Sequence, residues 1–403
     1  MSEPMFAGLK VLDVGSFIAG PGAATILSDF GADVIKVEPP EGDPWREQYK
    51  RPELPRSKVN YFWMLTSRNK KSLALNLKAP EAQAILHRLV KDCDVFVTNL
   101  PHRLRGTLGI DYEVLKKLNP RMIYASMSGY GETGEDRDQL AFDTTAWWSR
   151  SGLMHEVRPS GDSPPARSVA AMGDQVSGLA LYGAIVSALY RRERTGAGGF
   201  VSSSLMATGV WTNAATIQAA LCGAESPERP PRHKDPNPLN RVYGCRDGRW
   251  LMLTMNVGQQ IKYWERFAEL IEMPELAADP RFKTTEARRA NPEPLIVILE
   301  ATFMKQDAAF WRALFRKEGF AVSMVAKSID AVTDKQMHDT GVIVPMEASL
   351  GVETVNSPLW IEGETKTVPR RAPEIGEHSD EILGDYGYSK EQIEALRSSK
   401  AVA

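Results

Sequence analysis

The sequence predicts an α/β protein whose larger part is a doubly wound, Rossmann-like parallel sheet. Short apolar runs have the length and composition of buried strands at 9–14, 34–38, 72–77, 94–98, 122–127 and 200–203. Most of these runs are separated by helical patterns, among them 23–30, 80–91 and 112–118. Strands that alternate with helices form parallel sheets, and such sheets bind ligands beyond the carboxyl ends of their strands.

The first turn between strand and helix is rich in glycine, as it is in dinucleotide-binding proteins. Its glycines are Gly15, Gly20 and Gly22, a spacing that does not match G-x-G-x-x-G. The chain also has no phosphate loop of the G-x-x-x-x-G-K-[ST] type at the predicted strand ends. We therefore expect neither NAD nor FAD at this turn.

Composition and charge exclude several classes of function. The formal net charge of the 403 residues is -2, so the chain lacks the basic field of a nucleic-acid-binding protein. The cysteines and histidines are scattered without metal-ligand spacing, which predicts free thiols and no metal site. There is no signal-peptide pattern and no apolar run long enough to cross a membrane. We expect a cytoplasmic protein without nucleic-acid or membrane partners.

The most informative stretch is a long predicted helix that starts next to Asp174. Val176, Leu179 and Val186 recur at helical spacing and indicate a wide apolar face. Asp174 stands at the entrance, where free backbone N–H groups and the positive end of the helix dipole attract a carboxylate. From these residues alone, Asp174 is either a helix N-cap or a carboxylate nucleophile.

The composition changes after this helix. Prolines crowd into a polar segment at 223–239, which we interpret as a linker. A predicted strand at 249–254 and several helical patterns follow. We place a small α+β domain at 240–327.

Ten short motifs lie in order along nearly the whole chain. They are FAGLKVLDV (6–14), AGP (19–21), GADVIKVE (31–38), GDPWR (42–46), NKKSL (69–73), GYG (129–131), MGD (172–174), RTGAG (194–198), DPRF (279–282) and GEH (376–378). This ordered set resembles the class III CoA-transferases, the superfamily of formyl-CoA and carnitine CoA-transferases. Segment 142–152 is most similar to the branch that acts on aryl- and branched 2-hydroxyacids.

The resemblance implies that Asp174 is the catalytic residue. Its carboxylate would attack an acyl-CoA thioester and carry the reaction through an aspartyl–acyl mixed anhydride and an aspartyl-CoA thioester. CoA would thereby pass to a free acid of medium size that is aromatic, branched or dicarboxylic. Acyl-CoA and coenzyme A enter as substrates, and no tightly bound cofactor is expected.

The resemblance also implies an interlocked homodimer of two ring-shaped chains. Each large CoA-binding domain would combine 1–222 with 346–403. The small domain, 240–327, would be inserted between linkers at 223–239 and 328–345. The proline-rich segment is suited to the first of these linkers.

The family pattern places CoA contacts in loops that follow the predicted strands. The expected contacts are Phe17, Ile18, Ala19, Leu75, Lys78, Asn99, Leu100, Pro101 and Asp143. The candidates for the CoA phosphates are Arg68, Lys70, Lys71 and Arg105. The alternative for these cations is an ordinary solvated surface. Pro39 and Thr107 stand where the family often has a basic residue, and Asn256–Gln260 replaces the glycine-rich lid of the formyl-CoA type.

Trp147 and Trp148 are the candidate walls of an acyl pocket, because such pockets favour aromatic side chains. Adjacent residues of a helix face different directions. We therefore expect one tryptophan to line the pocket and the other to lie in the core. Burial of one or both in the core is the alternative.

Two other functions remain open at this point. The α-methylacyl-CoA racemases of the same superfamily use a histidine and an aspartate, but segment 140–146, LAFDTTA, contains no histidine. A non-catalytic CoA-binding protein would need no nucleophile. Isotope exchange at the α-carbon without an acceptor acid would distinguish a racemase from a transferase.

Overall fold

The computed structural model describes residues 3–403. The chain forms two compact units. The first comprises the described residues up to Glu156, Ala166–Ala224 and Gln336–Ala403. The second comprises Val157–Pro165 and Glu225–Lys335.

The strands form three sheets within the part of the chain that the structure describes. Their bounds are β1 (Lys10–Asp13), β2 (Asp33–Glu38), β3 (Lys71–Ala74), β4 (Val95–Thr98), β5 (Ile123–Ser128), β6 (Gly199–Ser204), β7 (Asn240–Gly244), β8 (Trp250–Thr254), β9 (Ala321–Met324), β10 (Ile343–Pro345) and β11 (Glu353–Val355).

The helices vary from single turns to the 24 residues of the helix that carries Asp174. Their bounds are α1 (Ala19–Asp29), α2 (Trp45–Gln48), α3 (Tyr61–Ser67), α4 (Pro80–Val90), α5 (His102–Arg105), α6 (Tyr112–Leu118), α7 (Leu153–Glu156), α8 (Met172–Thr195), α9 (Leu205–Thr212), α10 (Ala214–Leu221), α11 (Val257–Leu270), α12 (Glu275–Ala278), α13 (Thr285–Ala290), α14 (Pro292–Phe303), α15 (Ala308–Lys317), α16 (Lys335–Asp339), α17 (Ser379–Asp385) and α18 (Lys390–Ser398). A π-helical segment spans Asp143–Ser149. None of the helices within residues 3–403 has the length and apolar character needed to cross a membrane.

The largest sheet confirms the predicted parallel α/β architecture. Its strand order is β3-β2-β1-β4-β5-β6, and every neighbouring pair is parallel. The order reverses between β1 and β4, and doubly wound sheets bind ligands outside the carboxyl ends of the strands at such a point. The loops that follow β1 and β4 are therefore where this fold is expected to bind a ligand.

Apolar side chains cover both faces of this sheet. Residues of α1 and α8 form one buried cluster with β1, β4 and β5. Residues of α4, α6 and α17 form the second cluster on residues of β1, β3 and β4. The sheet is thus buried on both faces, as its continuous apolar strands predict.

Helix α1 begins earlier than predicted. The sequence predicts a turn over 15–22 and a helix from residue 23, whereas the helix starts at Ala19. Pro21 lies in its first turn, where a proline removes no helical hydrogen bond because that N–H has no intrahelical partner. The glycine-rich turn is consequently short, and its last residues are helical.

The second unit has its own antiparallel sheet and its own core. Strands β7, β8 and β9 pair in sequence order, and residues of α11, α14 and α15 pack with them. Asn256 caps α11 by accepting a hydrogen bond from the backbone N–H of Gln259. Segment 256–260 is therefore the start of a helix. The expected domain and linker boundaries stay a prediction.

Candidate active site

Asp174 lies in the first turn of α8 and is not its N-cap. The N-cap is Ala171, whose φ of 63° places it in the left-handed region. No side chain caps this end of the helix. The N-cap interpretation of Asp174 is thus wrong, and its carboxylate is not consumed by a local capping bond.

Gly173, next to Asp174, has no space for a side chain. A Cβ atom there would lie 2.5 Å from Cγ of Trp147. The Trp147 ring therefore packs directly against the backbone that carries Asp174. This close approach explains why a glycine precedes the carboxylate.

A second carboxylate, that of Asp143, lies near Asp174. Burial, and to a smaller extent the charge of Asp143, together raise the pKa of Asp174 to about 7. Burial also raises the pKa of Asp143, while the backbone N–H groups of Thr144 and Gly173 act in the opposite direction. The like charge of a neighbouring carboxylate disfavours ionisation, and it thus adds to the larger effect of burial on Asp174.

The loop after β1 is tied to the loop after β4 at the reversal point of the sheet. The side-chain oxygen of Asn99 accepts from the backbone N–H of Ser16 at 2.7 Å, and its amide nitrogen donates to the Ser16 carbonyl, also at 2.7 Å. The side chain of Asn99, expected to contact CoA, thus joins the two loops.

The segment Phe17–Ala19 runs beside the first turns of α8. Ile18 belongs to an apolar cluster against which Ala171 packs. Further along α8, a Cβ atom on Gly178 would lie 2.9 Å from the carbonyl oxygen of Ala19. These two contacts fall on either side of Asp174 in α8, so the structure brings Asp174 and Phe17–Ala19 together.

Several other predicted contacts share one cavity at the carboxyl ends of β4 and β5. This cavity of about 110 Å³ is lined by Asn99, Leu100, Pro101, Arg105, Leu140 and Ala141, with Arg103 and Arg137 at the same site. Leu75 and Lys78 follow β3 at the same edge of the sheet, where Leu75 is buried and Lys78 is exposed.

A model of the family described as CoA-transferase family III matches residues 6–379. The chain belongs to this family. Family III relatives match its whole length and are named as enzymes. It is 32% identical over 402 residues to the (R)-2-hydroxy-4-methylpentanoate CoA-transferase of Clostridioides difficile, with 99% of each chain covered. It is 30% identical to the cinnamoyl-CoA:phenyllactate CoA-transferase of Clostridium sporogenes, with 99% of this chain and 97% of the relative covered.

Solved structures agree with the family III assignment. The crystal structure of a CAIB/BAIF family protein from Brucella suis superposes with a TM-score of 0.85 at 28% identity and covers 96% of this chain and 100% of its own. The chain is therefore a CoA-transferase of family III, and the racemase alternative is not favoured.

The cations expected to bind the CoA phosphates are mostly engaged inside this family III fold. Lys70 is buried, and its ammonium donates to Asp13 at 2.9 Å, to the Pro21 carbonyl at 2.8 Å and to the Thr66 carbonyl at 2.7 Å. Burial lowers the pKa of Lys70 to about 8 despite the Asp13 carboxylate. The expectation that Lys70 binds a phosphate disagrees with the structure, because all three of its donors are used.

The other three cations expected to bind the CoA phosphates also pair with groups of the protein itself. They are Arg68, Arg105 and Lys71. Arg68 is buried and forms two hydrogen bonds with Asp29. Arg105 is buried and donates to Ser126 at 2.8 Å and to the Leu100 carbonyl at 3.0 Å. Lys71 is at the amino end of β3, away from the carboxyl ends of the strands, and pairs with Glu381 at 2.8 Å.

The two tryptophans do not divide between pocket and core. Trp147 is 1% exposed and Trp148 is 6% exposed, and their rings stack with centroids 5.9 Å apart and planes 10° apart. The indole N–H of Trp148 donates to the Ala166 carbonyl at 2.8 Å. The prediction that one of them lines the acyl pocket is therefore wrong, because both rings are buried in the core.

Sequence reasoning missed Asp43, although GDPWR was one of the motifs. Asp43 Oδ1 accepts from the hydroxyl of Ser16 at 3.0 Å and from the backbone N–H of Phe17 at 3.3 Å. The aspartate that follows a glycine in this motif was the available signal.

Across residues 3–403, no group of three or more potential metal-ligating side chains is arranged to hold a metal ion.

Proposed function

We propose that this family III enzyme transfers CoA from an acyl-CoA thioester to a free carboxylic acid, with Asp174 as the nucleophile. The observation that carries the proposal is the Asp174 carboxylate itself. It lies at the start of a long helix, beside Phe17–Ala19, and no cation offsets its burial. A carboxylate with a raised pKa is a stronger nucleophile once it is ionised.

The reaction proceeds by two exchanges and their reversal. The Asp174 carboxylate attacks the thioester carbonyl, the C–S bond breaks, and CoA thiolate leaves an aspartyl–acyl anhydride. The thiolate then attacks the aspartyl carbonyl and releases the donor acid, which forms an aspartyl-CoA thioester. The acceptor acid repeats these steps in reverse order. Every attacking group is an anion, so no general base is needed.

Backbone N–H groups are available to stabilise the developing oxyanions. The first N–H groups of a helix have no intrahelical partners, and the first turn of α1 begins at Ala19, whose carbonyl lies against Gly178 in the second turn of α8. Donors fixed in a partly buried site stabilise such charge without rearranging. Phe17–Ala19 and the adjoining loops would hold the pantetheine end of CoA, with Leu75, Lys78 and Asn99–Pro101 further along the same edge.

We propose medium-sized aromatic, branched or dicarboxylic acids as substrates. The names of the relatives support this class, because they include 4-methylpentanoate, phenyllactate and glutarate compounds. The raised pKa of Asp174 adds no preference among them. The acids themselves are to be found by an acceptor screen.

We also propose the interlocked dimer, with the domain division expected from the sequence. Exposed apolar side chains support an interface on the first unit, among them Tyr190 on α8, Trp211 on α9 and Leu221 on α10. Light scattering should give twice the chain mass of 44.6 kDa at every dilution that retains folded protein. A folded, active species of one chain mass contradicts the interlocked dimer.

Asp174→Ala tests the nucleophile directly. It should lower kcat by a factor on the order of 10⁴ or more, because the covalent route is lost. Hydroxylamine added with acyl-CoA should convert Asp174 of the unaltered enzyme into a hydroxamate that peptide mass spectrometry locates. Asp162→Ala removes an exposed aspartate and is the matched control. Near-normal turnover of Asp174→Ala contradicts the mechanism.

A further inference from the structure

The burial of Trp147 and Trp148 leaves the acyl group without its expected aromatic wall. We propose that Phe17, held in a left-handed backbone conformation by the carboxylate of Asp43, selects among acyl groups. This inference rests on the proposed function, because it places Phe17 beside the nucleophile Asp174. It names the residue that would give the site its preference for aromatic or branched acids.

The position of Phe17 follows from its neighbours along the chain. Ile18 lies in the cluster against which Ala171 packs, and the Ala19 carbonyl lies against Gly178. Ala171 and Gly178 flank Asp174 in sequence within the first turns of α8. Phe17 immediately precedes these contacts, and its ring packs on Trp45 of the same cluster, so the proposal places it where an acyl group on Asp174 would lie.

The backbone of Phe17 is unusual. Its φ is 60°, in the left-handed region that non-glycine residues rarely adopt. Its N–H donates to Asp43 Oδ1, which also accepts from the hydroxyl of the preceding residue, Ser16. Strained residues of this kind persist where their surroundings hold them, and they are common at functional sites.

Asp43 is itself fixed by a buried cation. The Lys36 ammonium lies 3.0 Å from Asp43 Oδ2, and both side chains are almost completely buried. Lys36 also donates to the carbonyl of Gly15, at the beginning of the same loop. Asp43 thus connects the core of the sheet to the backbone of Phe17 and acts as a positioning residue.

The ring of Phe17 has a rigid support on one side and solvent on the other. Trp45 lies behind it with ring centroids 6.0 Å apart, and Phe62 stacks on Trp45 at 4.3 Å. The Phe17 side chain nevertheless remains 37% exposed. A ring that is held from behind and open in front provides a preformed apolar contact for a substrate.

Phe142 is the alternative residue for the aromatic wall of the acyl pocket. It is 55% exposed and precedes Asp143, the carboxylate that raises the pKa of Asp174. Its backbone is extended, with φ of -129°, so no unusual conformation directs its ring. Substitution of each phenylalanine in turn distinguishes their effects on the selectivity for acids.

Phe17→Gly is the decisive variant, because glycine adopts the left-handed conformation freely and only the ring is lost. With succinyl-CoA as donor, kcat/KM is measured for 3-phenylpropanoate, 4-methylpentanoate and acetate as acceptors. The ratios of the two larger acids to acetate should fall by about tenfold or more. Any weakening of the CoA contact made by this segment lowers kcat/KM for all three acids alike and cancels in the ratios. Phe310→Ala, which removes an exposed phenylalanine of the second unit, is the matched control and should leave the ratios unchanged.

Asp43→Ala tests the positioning role, with Asp43→Asn as a milder variant if folding fails. Either should lower the same ratio, whereas a purely structural role would lower kcat/KM for all acids alike. Adding Phe17→Gly to the Asp43 variant should cause little further loss of selectivity, because both act through one ring. A full additional loss in the double variant contradicts this dependence.

Several outcomes overturn the inference, and they distinguish its failure from that of the proposed function. Ratios that stay within about twofold in Phe17→Gly exclude Phe17 as the selecting residue, as does a loss confined to Phe142→Ala. If Asp174→Ala abolishes transfer, while the unaltered enzyme and its Phe17 variant transfer CoA without selectivity for acid size, the nucleophile stands and only the role of Phe17 is refuted. No transfer by the unaltered enzyme to any acid in the acceptor screen overturns both.

Discussion

Two groups of carboxylates at the carboxyl edge of the sheet differ in whether a cation compensates them. Asp13 and Asp43 are buried with Lys36 and Lys70, which lie 2.9–4.0 Å from them. Asp143 is buried and Asp174 is partly buried, and the charge that acts on Asp174 is the like charge of Asp143. The first group holds a loop in place, and the second raises the pKa of Asp174, the carboxylate that we propose as the nucleophile.

The pKa values of the two groups move in opposite directions. Burial alone would raise the pKa of Asp13, but the charges of Lys36 and Lys70 outweigh it and the pKa is lowered. Burial raises the pKa of Asp174, and the only charge that contributes is that of Asp143, which raises it further. The comparison separates a structural carboxylate from the proposed nucleophile by the presence of a cation.

The largest expected effect comes from removing the compensation. Lys36→Met keeps the length of the side chain but leaves Asp13 and Asp43 with less positive charge in a buried site. We expect a loss of about 3–5 kcal/mol in the free energy of unfolding, because an unpaired buried charge remains. Denaturant unfolding followed by circular dichroism measures this loss.

Lys10→Met is the control for this prediction. Lys10 also pairs with an aspartate, Asp92, but both side chains are about half exposed. Its replacement should change stability by less than about 1 kcal/mol, as expected for a surface pair. Adding Asp43→Asn to Lys36→Met should recover part of the lost stability, and equal effects of the two lysine variants contradict the comparison.

A smaller effect of opposite sign is expected at Asp174. The folded-state pKa of Asp174 is raised to about 7 from an ordinary value of 3.8, so the folded protein binds the proton more tightly than the unfolded chain. Ionised Asp174 therefore destabilises the fold above pH 7, and this cost disappears as the pH falls toward 4. Asp174→Asn should raise the free energy of unfolding on the order of 1–3 kcal/mol at pH 8, and by little at pH 4.

The matched control is Asp162→Asn, which changes an exposed aspartate and should leave stability unaltered at both pH values. A stabilisation by Asp174→Asn that is the same at pH 4 and pH 8 would show that removal of charge is not its cause. An unchanged or lowered stability at pH 8 would show that the carboxylate is not held at a cost.

Local patterns predict the sheet, which the structure confirms, and the nucleophile Asp174, which stays a prediction. Continuous apolar runs such as Val11–Leu12 on β1 and 95–97 on β4 indicate buried parallel strands. Asp174 was found through its place before a helical apolar pattern and through the MGD motif. Each of these signals is contained within a few consecutive residues, where spacing along the chain determines the geometry.

The remaining parts depend on contacts between distant residues. Lys70 meets Asp13 across 57 positions, so its sequence neighbours could not show that it is buried. Trp147 and Trp148 were assigned to opposite sides on the assumption of an α-helix. In the structure, both tryptophans lie in a π-helical segment. Gly173 packs on the ring of Trp147, and the Ala166 carbonyl accepts a hydrogen bond from the indole N–H of Trp148.

The most direct test of the account is the pH dependence of acyl transfer to Asp174 in a single turnover. Rapid quenching with labelled acyl-CoA gives the rate, and peptide mass spectrometry identifies the acylated residue. The rate should rise with pH through an apparent pKa near 7 in the unaltered enzyme, because the ionised carboxylate is the nucleophile. Asp143→Asn should move this pKa downward by roughly 1 unit or less, since one of its two causes is removed. A rate that does not change between pH 5 and 9, or an acyl group found on another residue, contradicts the account.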